Sequence, residues 1–531
     1  MDKLNKKAVK EILQQRFEND CCTKLSLIPQ PFLLKDIQKA ANRIKEAIAK
    51  KEKIVIVGDY DVDGVISSVI LSEFFDDINV LHDVEIPNRF LDGYGLNATI
   101  LDRINADLII TVDNGISAVE AAKICKNRGI DLIITDHHTP PEILPDAYAI
   151  INPKQSDCKF PSCEICGAQV AWYLIAAIKE VCSLEYDLGK FLDILAIAII
   201  ADMMELLDIN RTMVKTGLKQ LKTSKRPAFL AIKEIFNKEF LECDDISYLV
   251  SPLLNSAGRM EDAMFSFLFL KSKSKIEAKA RLEEIAELNN QRKLEEKNLF
   301  ESSLEFVDEN DSVIVVWGEE WHEGVVGIVA SRLVKKFKKP SIVFSINDGR
   351  AKGSARSING VDILFLVSEQ KELLLGYGGH FGAAGVFLNE ENLEQFKSQM
   401  ITSMNSYTYD EKKANTDILG ELEPEAVDFE LLEILEEFEP YGQKNPKPSF
   451  VLKNMQIKME KTIGKDARHK KLILQSQSDK VVEALYFNYD IDVKKDETID
   501  VIVNITKNNF RGLITPQILI KEVLEVKYEK Q

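Results

Sequence analysis

The chain has 531 residues, 45% of them hydrophobic and 29% charged, with a formal charge of −17 from 68 basic and 85 acidic side chains. Its length exceeds one domain and predicts about three or four. The acidic balance excludes a generally sticky basic protein, but not a nucleic-acid enzyme, which needs only a local basic channel and, for catalytic metals, acids.

The opening MDKLNKKAVK carries charge with no apolar core behind it, so it does not read as a signal peptide. No apolar run is long enough to span a bilayer, and a cytoplasmic protein is expected. Residues 1–50 read as a helical segment broken at Pro29–Pro31. From residue 51 a βα rhythm begins. Ile54–Val57, Val80–Ile86, Leu108–Val112 and Leu132–Thr135 are short β-branched strands, with a helix over Ser117–Arg128. Such alternation predicts a parallel sheet covered on both faces, with ligands beyond the carboxyl ends of its strands.

The chemistry falls at those ends. After Val57 come Asp59, Asp61 and Asp63 in alternate positions, and Gly64 closes the turn. Alternate residues of an extended segment point the same way, and crowded carboxylates repel unless a cation sits between them. Asp113 follows the third strand and Asp136-His137-His138 the fourth. Cys158, Cys163 and Cys166 are the one cysteine grouping. No second C-x-x-C or nearby histidine completes a zinc set, so reduced loop cysteines are expected. Ile194–Leu207 reads as a buried helix with Asp202 inside it. A buried carboxylate needs a partner, here a metal or a salt bridge to Arg211.

Residues 271–307 are rich in Ala, Leu, Glu and Lys and read as one long helix with a charged face, joining two lobes and offering Lys and Arg to nucleic acid. From Ser312 a second α/β pattern runs to about residue 400. Residues 401–430 read as a polar connector, and from about 450 alternating short segments predict an all-β unit of OB type. The boundaries are 1–50 for the helical segment, 51–265 for the first α/β domain, 266–308 for the connecting helix, 309–400 for the second α/β domain, and 401–531 for the linker and OB-fold.

These motifs resemble the DHH phosphoesterases. DYDVDG, VDNG, DHH and the late Asp202 match the four motifs of that superfamily. Asn88-Arg89 with Asp92–Gly95, Gly167-Ala168 and Pro252–Met260 (PLLNSAGRM) are similar to its RecJ branch. Trp321–Leu333, Gly353–Ser357 and Gly378–Gly385 resemble the DHH-associated domain, and Pro440–Phe450 the entry to the branch's OB-fold. Many DHH phosphoesterases carry a histidine at the place of Val57. RecJ proteins lack it, which leaves one metal's ligand set open, with Asp59 as the available substitute.

The resemblance implies a single-stranded-DNA-specific 5′-to-3′ exonuclease of DNA repair and recombination, releasing 5′-mononucleotides with two Mn²⁺ or Mg²⁺ ions. Asp59, Asp61, Asp63, Asp113, His137 and Asp202 are the expected ligands, with Asp113 bridging. Asp136, His138 and Asp113 form the expected catalytic set, His138 contacting the scissile phosphate or donating to the leaving oxygen. Asn255, Arg259, Ser354, Arg356, Ser357, Gly378, Gly379 and His380 are the expected substrate contacts, the arginines gripping a terminal phosphate and the glycines offering backbone N–H groups. Phe487 and Tyr489 are candidate stacking residues or barrel core. Single-stranded DNA is the expected partner of a monomer, with single-strand-binding protein and a RecQ-type helicase as further candidates. Two other readings stand beside this one: a hydrolase of short RNA or cyclic dinucleotides, and a non-catalytic replication scaffold.

Overall fold

The computed structural model describes residues 3–409, 418–464, 467–510 and 513–527. The chain forms two compact units: Pro29–Asp202 with Thr216–Ala414, and Met1–Ile28 with Met203–Lys215 and Asn415–Gln531.

The first unit contains two sheets. In one, β1 (Ile54–Val57), β2 (His82–Glu85), β3 (Leu108–Val112), β4 (Asp131–Thr135) and β5 (Ala149–Ile151) are all parallel, in the order β2-β1-β3-β4-β5. Every residue of β1 and β3 is buried, which is why both read as unbroken apolar runs rather than alternating ones. Helices α1 (Ile37–Lys50), α2 (Val62–Asp77), α3 (Ala98–Arg103), α4 (Val119–Asn127) and α5 (Gly167–Val181) flank the strands. Ile100, Leu101, Ala121, Ala122 and Cys125 of α3 and α4 pack on Val55, Val57, Ile109, Leu132 and Ile134. The chain leaves β1 to one side to form β2, then returns to form β3 on the other. The crevice that opens between such diverging connections is where open α/β sheets bind ligands.

The second sheet has the order β9-β10-β8-β7-β6, from β6 (Ile314–Glu319), β7 (Ser341–Asn347), β8 (Arg350–Arg356), β9 (Leu374–His380) and β10 (Ala383–Asn389). Only β6 and β7 are parallel. The expected long helix is α8, Lys275–Ser303, which follows α6 (Leu192–Ala201) and α7 (Ser251–Met260) in chain order. It is not a solvated spacer. Ala278, Leu282, Ile285, Leu288 and Leu299 are buried on it, and Lys275 and Lys279 pair with Glu234 while Arg292 pairs with Glu296. Those three cations are paired within the fold.

In the second unit, five strands close on themselves: β12 (Ser449–Ile463), β13 (His469–Gln475), β14 (Val481–Phe487), β15 (Thr498–Phe510) and β16 (Leu513–Lys527). β12 pairs both β13 and β15, so no barrel edge stays open. The expected connector 401–430 is shorter than its composition implied. Helix Leu393–Ser406 still buries Met400 and Met404, and β11 (Ile418–Leu422) already pairs with β12. The segment 1–50 is likewise divided. Val9 and Leu13 of helix Lys6–Gln15 join Leu431 and Leu435 in the core of the second unit, and Lys3–Leu4 pairs with β11. α1 instead packs on α5 in the first unit. Each half follows its own apolar face. Among the described residues no helix is long and apolar enough to cross a membrane.

Candidate metal and phosphate site

The acids of DYDVDG are not arrayed along one extended segment. Asp61 is extended, but the helix starts at Val62, so Asp61 caps α2 by accepting from Gly64 N (3.0 Å) and Asp63 sits in its first turn. Helix N-termini favour such negative groups. Asp63 is in turn held by a second N-terminus: Gly167 N and Ala168 N of α5 donate to its two oxygens at 2.6 and 3.0 Å. Asn255, on α7, offers Oδ1 to Val62 N (3.2 Å) and so braces the same turn.

Asp113 follows β3 with φ of 63°, a left-handed conformation that turns its side chain back over the strand ends. His137 follows β4, and its Nε2 lies 3.2 Å from Asp113 Oδ1, 3.6 Å from Asp202 Oδ2 and 3.8 Å from Asp63 Oδ2. Asp202 is not inside a helix, as its apolar neighbours suggest. α6 ends at Ala201, Asp202 caps it, and Met203 turns away at φ of 55°. The end of the helix frees the carboxylate to reach His137, while Arg211 serves elsewhere, stacked over Phe17.

Three ligand groups result, each with atoms within 4.8 Å of one another: Asp59, Asp61 and Asp113; Asp63, His137 and Asp202; and Asp113, His137 and His138. Asp113 belongs to two of them. Burial, followed by the charges of Asp63, Asp61, Asp59 and Asp202, pushes its carboxyl well above the usual range, and burial with Asp63 and Asp61 does the same to Asp202. Asp113 Oδ1 and Asp202 Oδ2 are buried with no hydrogen-bond partner. A Cβ on Gly167 would come 2.4 Å from Asp113 Oδ1. Burial and the neighbouring His138 lower the pKa of His137, leaving a neutral imidazole. Repelled carboxylates, orphaned oxygens and a neutral imidazole fit a divalent cation with mixed oxygen and nitrogen ligands.

Asp136 belongs to none of these three groups. Its Oδ1 accepts from His137 N (2.7 Å), His138 N (3.0 Å) and His138 Nδ1 (2.7 Å), and its Oδ2 from Ile116 N (2.8 Å). Oδ1 is fully engaged, and through it the carboxylate orients His138. Burial would lower the His138 pKa, but the Asp136 bond and charge, then Asp59 and Asp61, lift it to about 9.

Facing these acids is a cationic cluster. Arg259 on α7 donates to Gly324 O (3.1 Å), and burial followed by Arg89, Arg356 and Arg292 lowers its pKa to about 9. Arg356, at the end of β8, donates to Ser354 Oγ (2.7 Å) and Ala355 O (2.8 Å). Neither pairs with a carboxylate among the described residues. Ser357 is tied to Val361 O by Oγ and to Gly382 O by its N–H. Gly378, Gly379 and His380 form the exposed edge strand β9 rather than a tight loop. Burial, then Arg356, Lys154 and His138, lower the His380 pKa, which places that ring toward the histidines.

Sequence reasoning missed Lys154, whose charge acts on His137, Asp202 and His380. Its signal was available, because INPK follows β5 as the other motifs follow their strands. It also missed Cys166, which is no loop thiol but the buried cap of α5, bonded to Gln169 and close to Asp63. All eight cysteines are free, and among the described residues none joins a metal-holding group. Of the candidate aromatics, Phe487 is exposed beside His469, while Tyr489 packs on the barrel core.

Residues 53–199 match the DHH family, N-terminal domain; 310–406 the DHHA1 domain; and 418–522 the RecJ OB domain. The single-stranded-DNA-specific exonuclease RecJ of Salmonella typhimurium is 31% identical over 530 residues, covering 92% of this chain and 90% of that protein. This chain belongs to the RecJ family. The Bacillus subtilis RecJ is 34% identical over 93% of the chain, which spans 64% of that longer protein. The crystal structure of Thermus thermophilus RecJ with Mn²⁺ aligns with a TM-score of 0.83 at 25% identity, covering 99% of this chain and 76% of that one. Another exonuclease RecJ, bound to manganese, aligns at 0.61 and 29% identity, over 71% of this chain and 96% of that one.

Proposed function

We propose that the chain is a 5′-to-3′ exonuclease of single-stranded DNA that hydrolyses one phosphodiester at a time at a two-metal centre and acts in DNA repair and recombination. The observation that carries this is Asp113, buried, left-handed, and common to the Asp59–Asp61 group and the His137–His138 group. The first cation would take Asp59, Asp61 and Asp113, and the second Asp63, His137, Asp202 and the shared Asp113. Mn²⁺ or Mg²⁺ held there supplies activation of a water and neutralisation of charge on the phosphate.

The chain's own residues do the rest. His138, protonated and held at Nδ1 by Asp136, keeps its Nε2–H to donate to the phosphate or to the departing 3′ oxygen. Arg259 and Arg356, with Ser354 as the partner that aims Arg356, grip the 5′-terminal phosphate through their forked donors. The N–H groups of β9 approach the backbone where side chains would otherwise stand. Breaking the bond to the 3′ oxygen releases a 5′-mononucleotide and leaves a new 5′-phosphate, so each product presents the next end to the same arginines. The OB-type barrel holds the incoming strand by stacking and backbone contacts, with Phe487 the candidate platform. The monomeric enzyme works in the cytoplasm beside single-strand-binding protein and a RecQ-type helicase.

The deciding experiment is digestion of end-labelled single-stranded and duplex DNA with Mn²⁺ and then with EDTA. Stepwise loss of 5′ nucleotides from single strands only, abolished by EDTA, is expected. Equal digestion of duplex, or preference for dinucleotides, would favour the short-substrate reading, and no hydrolysis at all the scaffold reading.

A further inference from the structure

One cation beside the acids has no part in the roles above. Lys154 sits in the turn after β5, at the same edge of the sheet as Asp113 after β3 and His137 after β4. Thr135 and Ile151 are paired across β4 and β5, and Asp136 N donates to Ile151 O (3.0 Å). Buried side-chain amides fix the turn. Asn152 donates from Nδ2 to His138 O (2.9 Å) and accepts from Lys154 N at Oδ1 (2.8 Å), while Gln155 donates from Nε2 to Ile150 O (2.8 Å). Asn152 therefore ties Lys154 to His138. On the other side, Lys154 Nζ lies 3.4 Å from Glu164 Oε2, and three residues later Gly167 begins α5 and its N–H donates to Asp63.

The ammonium thus stands between the histidine motif and the cradle of Asp63, and its charge acts on His137, Asp202 and His380. Its side chain is 22% exposed and that of Glu164 45%. An ion pair so open to water contributes little, so the lysine gives it up readily for a stronger anion. A phosphodiester brought to the acids is that anion. Once divalent cations hold Asp59, Asp61, Asp63, Asp113 and Asp202 ionised, two such cations and the protonated His138 offset the five carboxylates, and the charge of the phosphodiester stands alone. Lys154 meets it with a charge-assisted bond and displaces no ligand.

We propose that Lys154 is a further catalytic residue, whose ammonium moves from Glu164 to a non-bridging oxygen of the scissile phosphodiester. The proposal rests on the exonuclease reading. Lys154 stays protonated throughout and makes no covalent bond. It offsets the negative charge that grows on the phosphate oxygens as water attacks. Asn152, which fixes the main chain of both residues, sets Lys154 and His138 on the same phosphate.

The test first measures binding without hydrolysis, in the Asp113→Asn variant and in EDTA. The ligands are 5′-phosphorylated single strands, unmodified or with one uncharged methylphosphonate at the first or the second linkage. Adding Lys154→Ala should weaken binding of the unmodified and second-linkage strands by roughly tenfold, and of the first-linkage strand hardly at all, because the charge that Lys154 meets is already gone. Adding Lys154→Arg instead keeps the cation and should restore most of the affinity. With Asp113 intact and Mn²⁺ present, Lys154→Ala should lower kcat by roughly 100-fold. The Mn²⁺-induced rise in Tm should stay, since the lysine holds no metal. Equal weakening on all three strands, weakening on none, or a loss that disappears only with the second-linkage strand would overturn the contact. Wild type that releases no 5′ nucleotide from the unmodified strand with Mn²⁺ would overturn the exonuclease reading itself, and the contact with it.

Discussion

Asp113→Asn should make the metal-free protein more stable and the enzyme inactive. The exchange preserves shape, and Asn tolerates the left-handed backbone that Asp113 occupies. It removes a buried carboxyl whose ionisation burial and then Asp63, Asp61, Asp59 and Asp202 all oppose. It also places an N–H where Oδ1 now stands without a donor, 3.2 Å from the neutral His137 Nε2. A net hydrogen bond contributes about 1 kcal/mol, and relief of a strained functional charge about 1–2 kcal/mol more. At about 2–4 °C per kcal/mol for a 150–250-residue domain, and roughly half that in a unit this large, Tm in EDTA should rise by about 2–6 °C. Loss of a group that merely supports a ligand costs about 10–100-fold, so loss of the shared ligand should cost more than about 100-fold in Mn²⁺-dependent hydrolysis. Differential scanning fluorimetry with and without Mn²⁺, nuclease assays, and binding to labelled single-stranded DNA measure all three quantities. Binding should survive and the Mn²⁺-induced rise in Tm should shrink. A variant that melts lower in EDTA, or keeps activity within about tenfold of wild type, would refute the shared-ligand argument.

Acidity should act in the opposite sense to ordinary acid denaturation. Burial and then Asp61 push Asp59 up to about 8 and Asp63 to about 6, from 3.8. The native state keeps protons that the unfolded chain has released, so stability falls as pH rises from about 4 through these values. Tm in EDTA should drop between about pH 5 and pH 8 while the Mn²⁺-induced rise grows; a flat profile would show that these acids do not titrate in the fold. Gly167→Ala adds a Cβ that would lie 2.4 Å from Asp113 Oδ1, and should weaken Mn²⁺ binding by more than about tenfold without unfolding the chain. Mn²⁺ titration followed by fluorimetry tests this, and an unchanged midpoint would contradict it. Arg356→Ala removes a cation that no carboxylate balances among the described residues, and should cut the preference for 5′-phosphate over 5′-hydroxyl ends by about 10–100-fold. An unchanged preference would move the phosphate grip elsewhere.

The sequence alone determined the parallel sheet, the strand ends that carry DYDVDG, VDNG and DHH, and the all-β character of the last 80 or so residues, about one barrel's length. Those properties are local. Buried strands must be apolar and β-branched, turns need particular residues, and both signals lie within a few positions of the element they specify. Tertiary structure alone decided which acids meet. Asp63 parts from Asp59 and Asp61 because the helix begins between them, and the N-terminus of α5, about a hundred residues later, claims it. Asp202 reaches His137 only because α6 stops one residue before it. The split of residues 1–50 and the buried stripe of α8 follow the same logic, since an apolar face does not say in sequence which distant partner will cover it. Periodicity within one element is written along the chain, whereas convergence of charges depends on where several elements end in space, and no local pattern encodes that.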